Sequence, residues 1–393
     1  MQEDISYREM YDAWRDARRG KRPSCGQMAF DANWAVGLLR LQDQINAGTW
    51  KPRPSSCFVS KRPKTREIHA PNYADRIVHH LLTKRLEQVY EPRFIHDSYA
   101  NRCGKGSHAA VRRVQQFVRQ VASGQGGGWY LQIDIHNCFY SIPRERAWRM
   151  MKPVLIRAGV PLWVLHTTHA LLRSPPLQAG VTMRGTPADH AMVPPHKRLA
   201  NAPKGCGLPI GNLFSQFVAN VLMDALDQYA KHVLGAQRYV RYVDDMLLID
   251  QDRARLESHL AAIEQFLGKE LGLSLKADIR LRRLEDGIDF LGYVVRPTHT
   301  LVRPRVVAHA REAMAQWEGS HVRGDIITAT PADLRAIQAT AASYAGHLRH
   351  ANSYRLQAAL RRRFPWLGAA TRRRRFHRRE EGRRQRIRVR SSA

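Results

Sequence analysis

The 393-residue sequence predicts an α+β fold with mainly antiparallel strands, on three observations. From Tyr239 to Ile249, Tyr-Val-Arg-Tyr-Val-Asp-Asp-Met-Leu-Leu-Ile, two short aliphatic runs flank adjacent carboxylates. That is a strand–turn–strand pattern with Asp244 and Asp245 at or beside the turn. Upstream, Tyr130-Leu-Gln-Ile-Asp-Ile alternates, so Leu131, Ile133 and Ile135 face one way and Gln132 and Asp134 the other. Between such strands lie segments of helical period, as at 109–121, where Val111, Val114, Phe117 and Val121 share a face.

Composition narrows the function classes. Lys plus Arg number 64 against 34 Asp plus Glu, a formal charge of +30. That excess is unlike an ordinary metabolic enzyme and points to a polyanion, with nucleic acid the first reading and an anionic membrane surface the second. No run of 18 apolar residues exists to span a bilayer, and the first residues lack a signal-peptide pattern. The five cysteines are odd in number, widely spaced and without Cys-x-x-Cys. They argue for reduced thiols, a cytoplasmic location, and against structural zinc.

In chain order, residues 1–50 form a helical extension, with Tyr7, Met10, Trp14 and Ala17 on one face. Residues 51–296 form the mixed α+β body. Within it, Lys61-Arg-Pro-Lys-Thr-Arg-Glu-Ile-His is a basic hairpin whose cations suit a triphosphate. Arg102 and Lys105 fall in a Gly-containing loop that suits a nucleic-acid backbone. It lacks the P-loop spacing. Residues 143–173 are helical, and 173–203 read as a long loop. Gly205 to Gln216 makes a tight turn at Leu208, Pro209 and Gly211, where backbone can approach a planar ligand. It then enters a helix over 217–232 with Ser215 and Gln216 in its first turns. Residues 273–279 read as a strand carrying Lys276, and 287–295 as another. Within a segment 297–365, residues 305–365 read as three helices. The tail, 366–393, ends in 23 residues with eleven Arg and two Glu. It cannot build a core and reads as disordered, either an RNA-binding segment or a solvated end.

The carboxylates carry the chemistry. Alone, Asp134 is equally a solvated strand-end acid. Together with the Asp244–Asp245 turn it supplies three hard oxygen ligands from two strand elements. Such a cluster is stable only with cations, and Mg²⁺ or Mn²⁺ fits, as two-metal phosphoryl transfer requires.

These pieces, in this order, resemble the reverse transcriptases over about residues 50–360. Leu131-Gln-Ile-Asp-Ile-His-Asn-Cys-Phe-Tyr-Ser-Ile resembles the first carboxylate motif. Gly207-Leu-Pro-Ile-Gly-Asn-Leu-Phe-Ser-Gln resembles the template- and nucleotide-positioning motif. Tyr242-Val-Asp-Asp resembles the second carboxylate motif, and Gly287-Ile-Asp-Phe-Leu-Gly-Tyr the primer-grip strand. The resemblance implies a right-hand polymerase fold of fingers, palm and helical thumb. It implies RNA-templated DNA synthesis from dNTPs, with two metal ions at Asp134, Asp244, Asp245 and the Ile135 carbonyl. It implies that Phe139 excludes a ribose 2′-hydroxyl, though core packing also explains that residue. Lys64 and Arg66 match triphosphate contacts, with Lys61 as a substitute. Ile210, Gly211, Ser215 and Gln216 match the nucleotide-binding turn. Lys276 matches a lysine that protonates pyrophosphate, or is a surface strand lysine.

Within the family, Ile210 and Gln216 resemble the enzymes of diversity-generating retroelements, which copy a template RNA with errors at adenine, helped by a small basic accessory protein. The stretch Ser343-Tyr-Ala-Gly-His-Leu-Arg-His also resembles that set. An apolar Ile210 removes an amide that would hydrogen-bond the incoming nucleotide. Phe214 departs from the usual Thr, and the Arg-rich extension is not general there. Three other readings stay open: an antiphage enzyme copying a companion noncoding RNA, a group II intron-like enzyme, and an RNA-binding protein on an inactive polymerase fold.

Overall fold

The computed structural model describes residues 3–20, 22–61, 64–124, 127–372 and 384–389. In chain order the strands are β1 (Ser55–Ser60), β2 (Arg66–Ala70), β3 (Trp129–Asp134), β4 (Val181–Met183), β5 (Tyr239–Tyr242), β6 (Asp245–Asp250), β7 (Arg280–Arg283), β8 (Ile288–Phe290), β9 (Tyr293–Val295), β10 (Thr300–Val302), β11 (Val322–Arg323), β12 (Ile326–Ala329) and β13 (Gln385–Arg388). The chain divides into two compact units: Met1–Gly106 with Leu131–Leu281, and Ser107–Tyr130 with Arg282–Ala393.

The first unit opens with the helices Tyr7–Arg18, Cys25–Asp31 and Trp34–Asn46. Ser6 and Glu9 form a capping box on the first, which buries Met10, Ala13, Trp14 and Ala17. Trp14 stacks on Trp34 at 4.9 Å. The strands β1 and β2 pair antiparallel, and β4 adds parallel to β1. The stretch 173–203, expected as a loop, therefore contributes a strand, because Val181-Thr-Met completes an edge of β1 that would otherwise leave backbone groups unpaired. Pro187–Ala191 follows it as a short capped helix. The long helix after Gly211 begins at Leu213 rather than 217, since Asn212 caps it by accepting from the Ser215 amide at 2.7 Å.

A four-stranded sheet runs in the order β5–β6–β3–β7, with β5, β6 and most of β3 in this unit. Residues 273–279, expected as a strand, make only an isolated bridge, Leu275 to Ile135. Regular pairing resumes in β7.

The second unit carries the helix Ser107–Ala122 and the sheet β10–β9–β8. The expected single strand over 287–295 is instead a tight hairpin. Leu291 and Gly292 take positive φ, 50° and 91°, which makes the two-residue turn between Phe290 and Tyr293. Helices Pro304–His321, Pro331–Leu348 and Tyr354–Arg363 follow. The tail departs from expectation. Trp366 is 1% exposed within an apolar cluster that includes Met314, Ile327, Leu360 and Phe364. Farther on, β13 pairs antiparallel with β12, burying Ile387. Alternation in Gln-Arg-Ile-Arg-Val puts Ile387 on the inner face and the arginines outward, so the high Arg content does not prevent a strand. Most of the Arg-rich run, 373–383 and 390–393, lies outside the described residues.

One buried ion pair fixes the β5–β6 hairpin. Arg241 is 1% exposed and Asp227 fully buried. Arg241 donates to both Asp227 oxygens, Nε at 2.7 Å and Nη2 at 2.6 Å. Its Nη1 donates to Asn220 Oδ1 at 3.2 Å and to the Val243 carbonyl at 3.0 Å, and Nη2 reaches Ser98 Oγ at 3.1 Å. The Tyr239 hydroxyl also donates to Asp227, at 2.8 Å. Removing one partner leaves a buried charge unpaired. Arg241→Met or Asp227→Leu alone is expected to cost about 3–5 kcal/mol in urea unfolding, and the double variant to recover most of it. Single variants within about 1 kcal/mol of wild type would contradict this.

Candidate active site

The β5–β6 turn is a two-residue loop, because Tyr242 pairs directly with Asp245. Val243 sits in the left-handed region at φ 57°, where a β-branched residue is strained by roughly 1–3 kcal/mol. Its carbonyl is held by Arg241, which over-determines the turn. Asp244 thus occupies the loop and Asp245 opens β6. The Asp244 carbonyl accepts from the Ile135 amide at 3.3 Å, one residue past Asp134. The structure thereby brings the hairpin against the end of β3.

The electrostatics are those of crowded carboxylates. Asp244 is pushed up to about 6 by burial and by the charge of Asp134, with Lys276 opposing. Asp245 is pushed up to about 7, mainly by burial and further by Asp134 and Asp244, against a hydrogen bond from Gln132. That bond is 3.1 Å, Gln132 Nε2 to Asp245 Oδ1. Asp134 Oδ1 is buried without a hydrogen-bond partner. An orphaned anionic oxygen beside two carboxyls that resist ionising is a donor set suited to a hard divalent cation.

Lys276 lies on the site itself. Its ammonium is 2.6 Å from Asp134 Oδ2, and its amide donates to the Asp134 carbonyl at 2.8 Å. In this structure the side chain neutralises Asp134.

The remaining predicted residues fall at distinct places. Phe139 is half-buried in the short helix Cys138–Ser141, entered through Asn137 at φ 45°. Its carbonyl accepts from the Leu208 amide at 2.7 Å, tying the first carboxylate motif to the 208–211 turn. Ile210 is half-buried, and its carbonyl accepts from the His69 amide on β2 at 2.7 Å. Gly211, at φ 119°, has no room for a side chain: a Cβ would meet Ile68 Cγ2 at 2.7 Å and the His69 carbonyl at 3.2 Å. The close approach expected of this glycine is therefore to β2 of the chain itself. Gln216 is half-buried. Ser215 is 1% exposed, buried rather than offered at the surface, at the floor of an open pocket of about 860 Å³ that Asn212, Phe214, Asp75 and His79 also line. Lys64 and Arg66 are exposed at the β1–β2 hairpin. Lys61 is ion-paired to Asp189 at 2.6 Å. Arg102 is turned inward, donating to the Ile95 and Ser98 carbonyls and to Glu91, which makes it a packing residue rather than a backbone contact.

Sequence reasoning missed Arg241, Asp227, Gln132 and Cys138. The charge in Tyr-Val-Arg-Tyr, an arginine inside an aliphatic strand, was the available signal for the ion pair. Cys138 is fully buried near Asp244 and Asp134, and burial with those charges keeps its thiol protonated.

Residues 59–295 match the family described as Reverse transcriptase (RNA-dependent DNA polymerase). Over 309 residues the chain is 24% identical to Protein YkfC of Escherichia coli (strain K12), covering 70% of this chain and 73% of that protein. It is 25% identical over 108 residues to the Group II intron-encoded protein LtrA of Lactococcus lactis subsp. cremoris, 27% of this chain and 17% of that one. Among solved structures, apo telomerase from Candida tropicalis aligns with a TM-score of 0.47 at 9% identity, covering 68% of this chain and 51% of that one. The chain thus spans under a fifth of LtrA and about half of the telomerase chain. The family match covers more than half of the sequence and includes all three carboxylates: this chain belongs to the reverse transcriptases, the RNA-dependent DNA polymerases.

Proposed function

We propose that the chain copies an RNA template into DNA at the Asp134–Asp244–Asp245 cluster, in a right-hand layout with 51–296 as fingers and palm and 297–365 as thumb. The observation that carries this reading is the orphaned Asp134 Oδ1 beside two carboxyls with raised pKa. Asp134, Asp244, Asp245 and the Ile135 carbonyl would hold two divalent ions, Mg²⁺ with Mn²⁺ as a substitute. A pair of ions held there would supply the positive charge that lowers the pKa of a primer 3′-hydroxyl and offsets the charge on a leaving pyrophosphate. Lys276, which lies beside Asp134, would donate a proton to pyrophosphate. The exposed Lys64 and Arg66 reach for the triphosphate, and Phe139 sits against the sugar. Ile210, Gly211 and Gln216 form the turn under the base, with Ser215 holding the helix start behind them.

The subtype reading is supported by Ile210, whose side chain carries no hydrogen-bonding group. We assign the enzyme to the error-prone, diversity-generating type, working with a template RNA and a small basic accessory protein. The similarity to LtrA favours a second reading, a group II intron-like reverse transcriptase.

Three measurements bear on this. Primer extension on poly(rA) or a structured RNA with Mg²⁺ should fall about 10³-fold or more in Asp244→Asn and Asp245→Asn, while RNA binding persists. Extension within about tenfold of wild type would remove the metal assignment. Ile210→Gln should lower misincorporation opposite template adenine, and an unchanged error spectrum would remove the subtype argument.

The third measurement is pH-dependent. Both carboxyls have folded pKa values raised above the unfolded ones, so the folded state binds more protons and stability falls as pH rises through about 6 to 7. A divalent ion replaces those protons. The rise in melting temperature on adding Mn²⁺ should therefore be larger at about pH 8 than at about pH 5. An equal shift at both would mean that these carboxylates are not the ligands.

A further inference from the structure

The β1–β2 hairpin carries a second donor cluster, remote in chemistry from the carboxylate site. Its register pairs Cys57 with His69 and Val59 with Glu67. Residues 57, 67 and 69 therefore project from one face of the hairpin. All three are buried, Cys57 at 0%, His69 at 4% and Glu67 at 8% exposed. One ligand atom from each lies within 4.8 Å of the other two. A tetrahedral Zn²⁺ with ordinary Zn–S, Zn–N and Zn–O bonds sets its ligand atoms about 3.3–3.6 Å apart, so closure needs a movement of roughly 1 Å.

Two further observations mark this as more than a buried polar pair. His69 Nε2 lies 3.2 Å from Glu67 Oε2, close to the separation that two ligands of one tetrahedral ion adopt. Glu67 Oε2 also accepts from the Leu199 amide at 2.9 Å, the kind of outer support that fixes a ligating carboxylate. The Cys57 thiol is pushed up to about 11 by burial and then by the charge of Glu67. Metal binding would release that proton and put a dication where the two acids otherwise repel.

We propose that Cys57, Glu67 and His69 bind one zinc-class divalent ion, with water as a fourth ligand. The thiolate and imidazole select a borderline-soft ion over Mg²⁺, which keeps this site distinct from the all-oxygen cluster. The ion would cross-link β1 to β2. Because the His69 amide holds the Ile210 carbonyl at 2.7 Å, it would also stiffen the link to the 208–211 turn. The expectation against zinc rested on the lack of Cys-x-x-Cys. Cross-strand pairing assembles ligands that local spacing hides.

The test is Co²⁺ titration of the full-length protein after chelator dialysis, read as near-ultraviolet thiolate-to-cobalt charge transfer and visible d–d absorption. The expected result is one equivalent of Co²⁺ giving both bands, displaced by Zn²⁺. Cys57→Ser should abolish the charge-transfer band, and Glu67→Gln or His69→Gln should weaken binding at least about tenfold. The exposed thiols are controlled by Cys25→Ser with Cys103→Ser, and the carboxylate cluster by Asp245→Asn; both variants should retain the bands. Absence of a charge-transfer band in the wild-type protein, or its survival in a folded Cys57→Ser variant, overturns the proposal.

Discussion

The Arg241–Asp227 ion pair is the constraint on which the catalytic geometry rests. A β-branched residue at positive φ does not hold a turn by itself, yet Val243 must adopt that conformation for Asp244 to leave the strand while Asp245 stays in it. Arg241 donates to the Val243 carbonyl with the same guanidinium that Asp227 grips from the helix Leu213–Gln228. The helix following the 208–211 turn and the hairpin carrying two carboxylates are thereby fixed to each other. Desolvating such a pair is expensive, and the return is positional: a strained turn in one conformation beside the end of β3.

Around that fixed hairpin the site accumulates unfavourable charge. Three carboxyls converge, two of them with raised pKa, and Lys276 offsets part of the repulsion through Asp134. An arrangement that is locally costly but held by its surroundings is what a cation-dependent site requires. The 208–211 turn is held by the same logic from its other sides, through Leu208 to Phe139 and Ile210 to His69. The segment after Asp134, the basic hairpin and the 208–211 turn thus share a backbone hydrogen-bond network.

What was legible in the sequence was what is local. Tyr-Val-Asp-Asp between aliphatic runs names its own turn, and alternation around Asp134 names its strand. The pairing of Arg241 with Asp227 was not legible, because a salt bridge across fourteen residues and two elements leaves no spacing rule. The hairpin at 287–295 reads as one strand in the sequence because leucine at position 291 does not announce a positive φ. At 385–388 arginine content masked the alternation that lets Ile387 pack under β12. Cys57 and His69 meet only across a strand pair.

The central claim is that Asp134, Asp244 and Asp245 together hold two divalent ions over a primer end. Its most direct test counts Mn²⁺ by electron paramagnetic resonance on the full chain bound to an RNA template, a DNA primer and a non-hydrolysable dNTP. Two exchange-coupled Mn²⁺ per chain, falling to weak or single occupancy in Asp134→Asn, is the predicted result. A coupled pair undiminished in Asp134→Asn, or no tightly bound Mn²⁺ in the wild-type complex, would contradict the account.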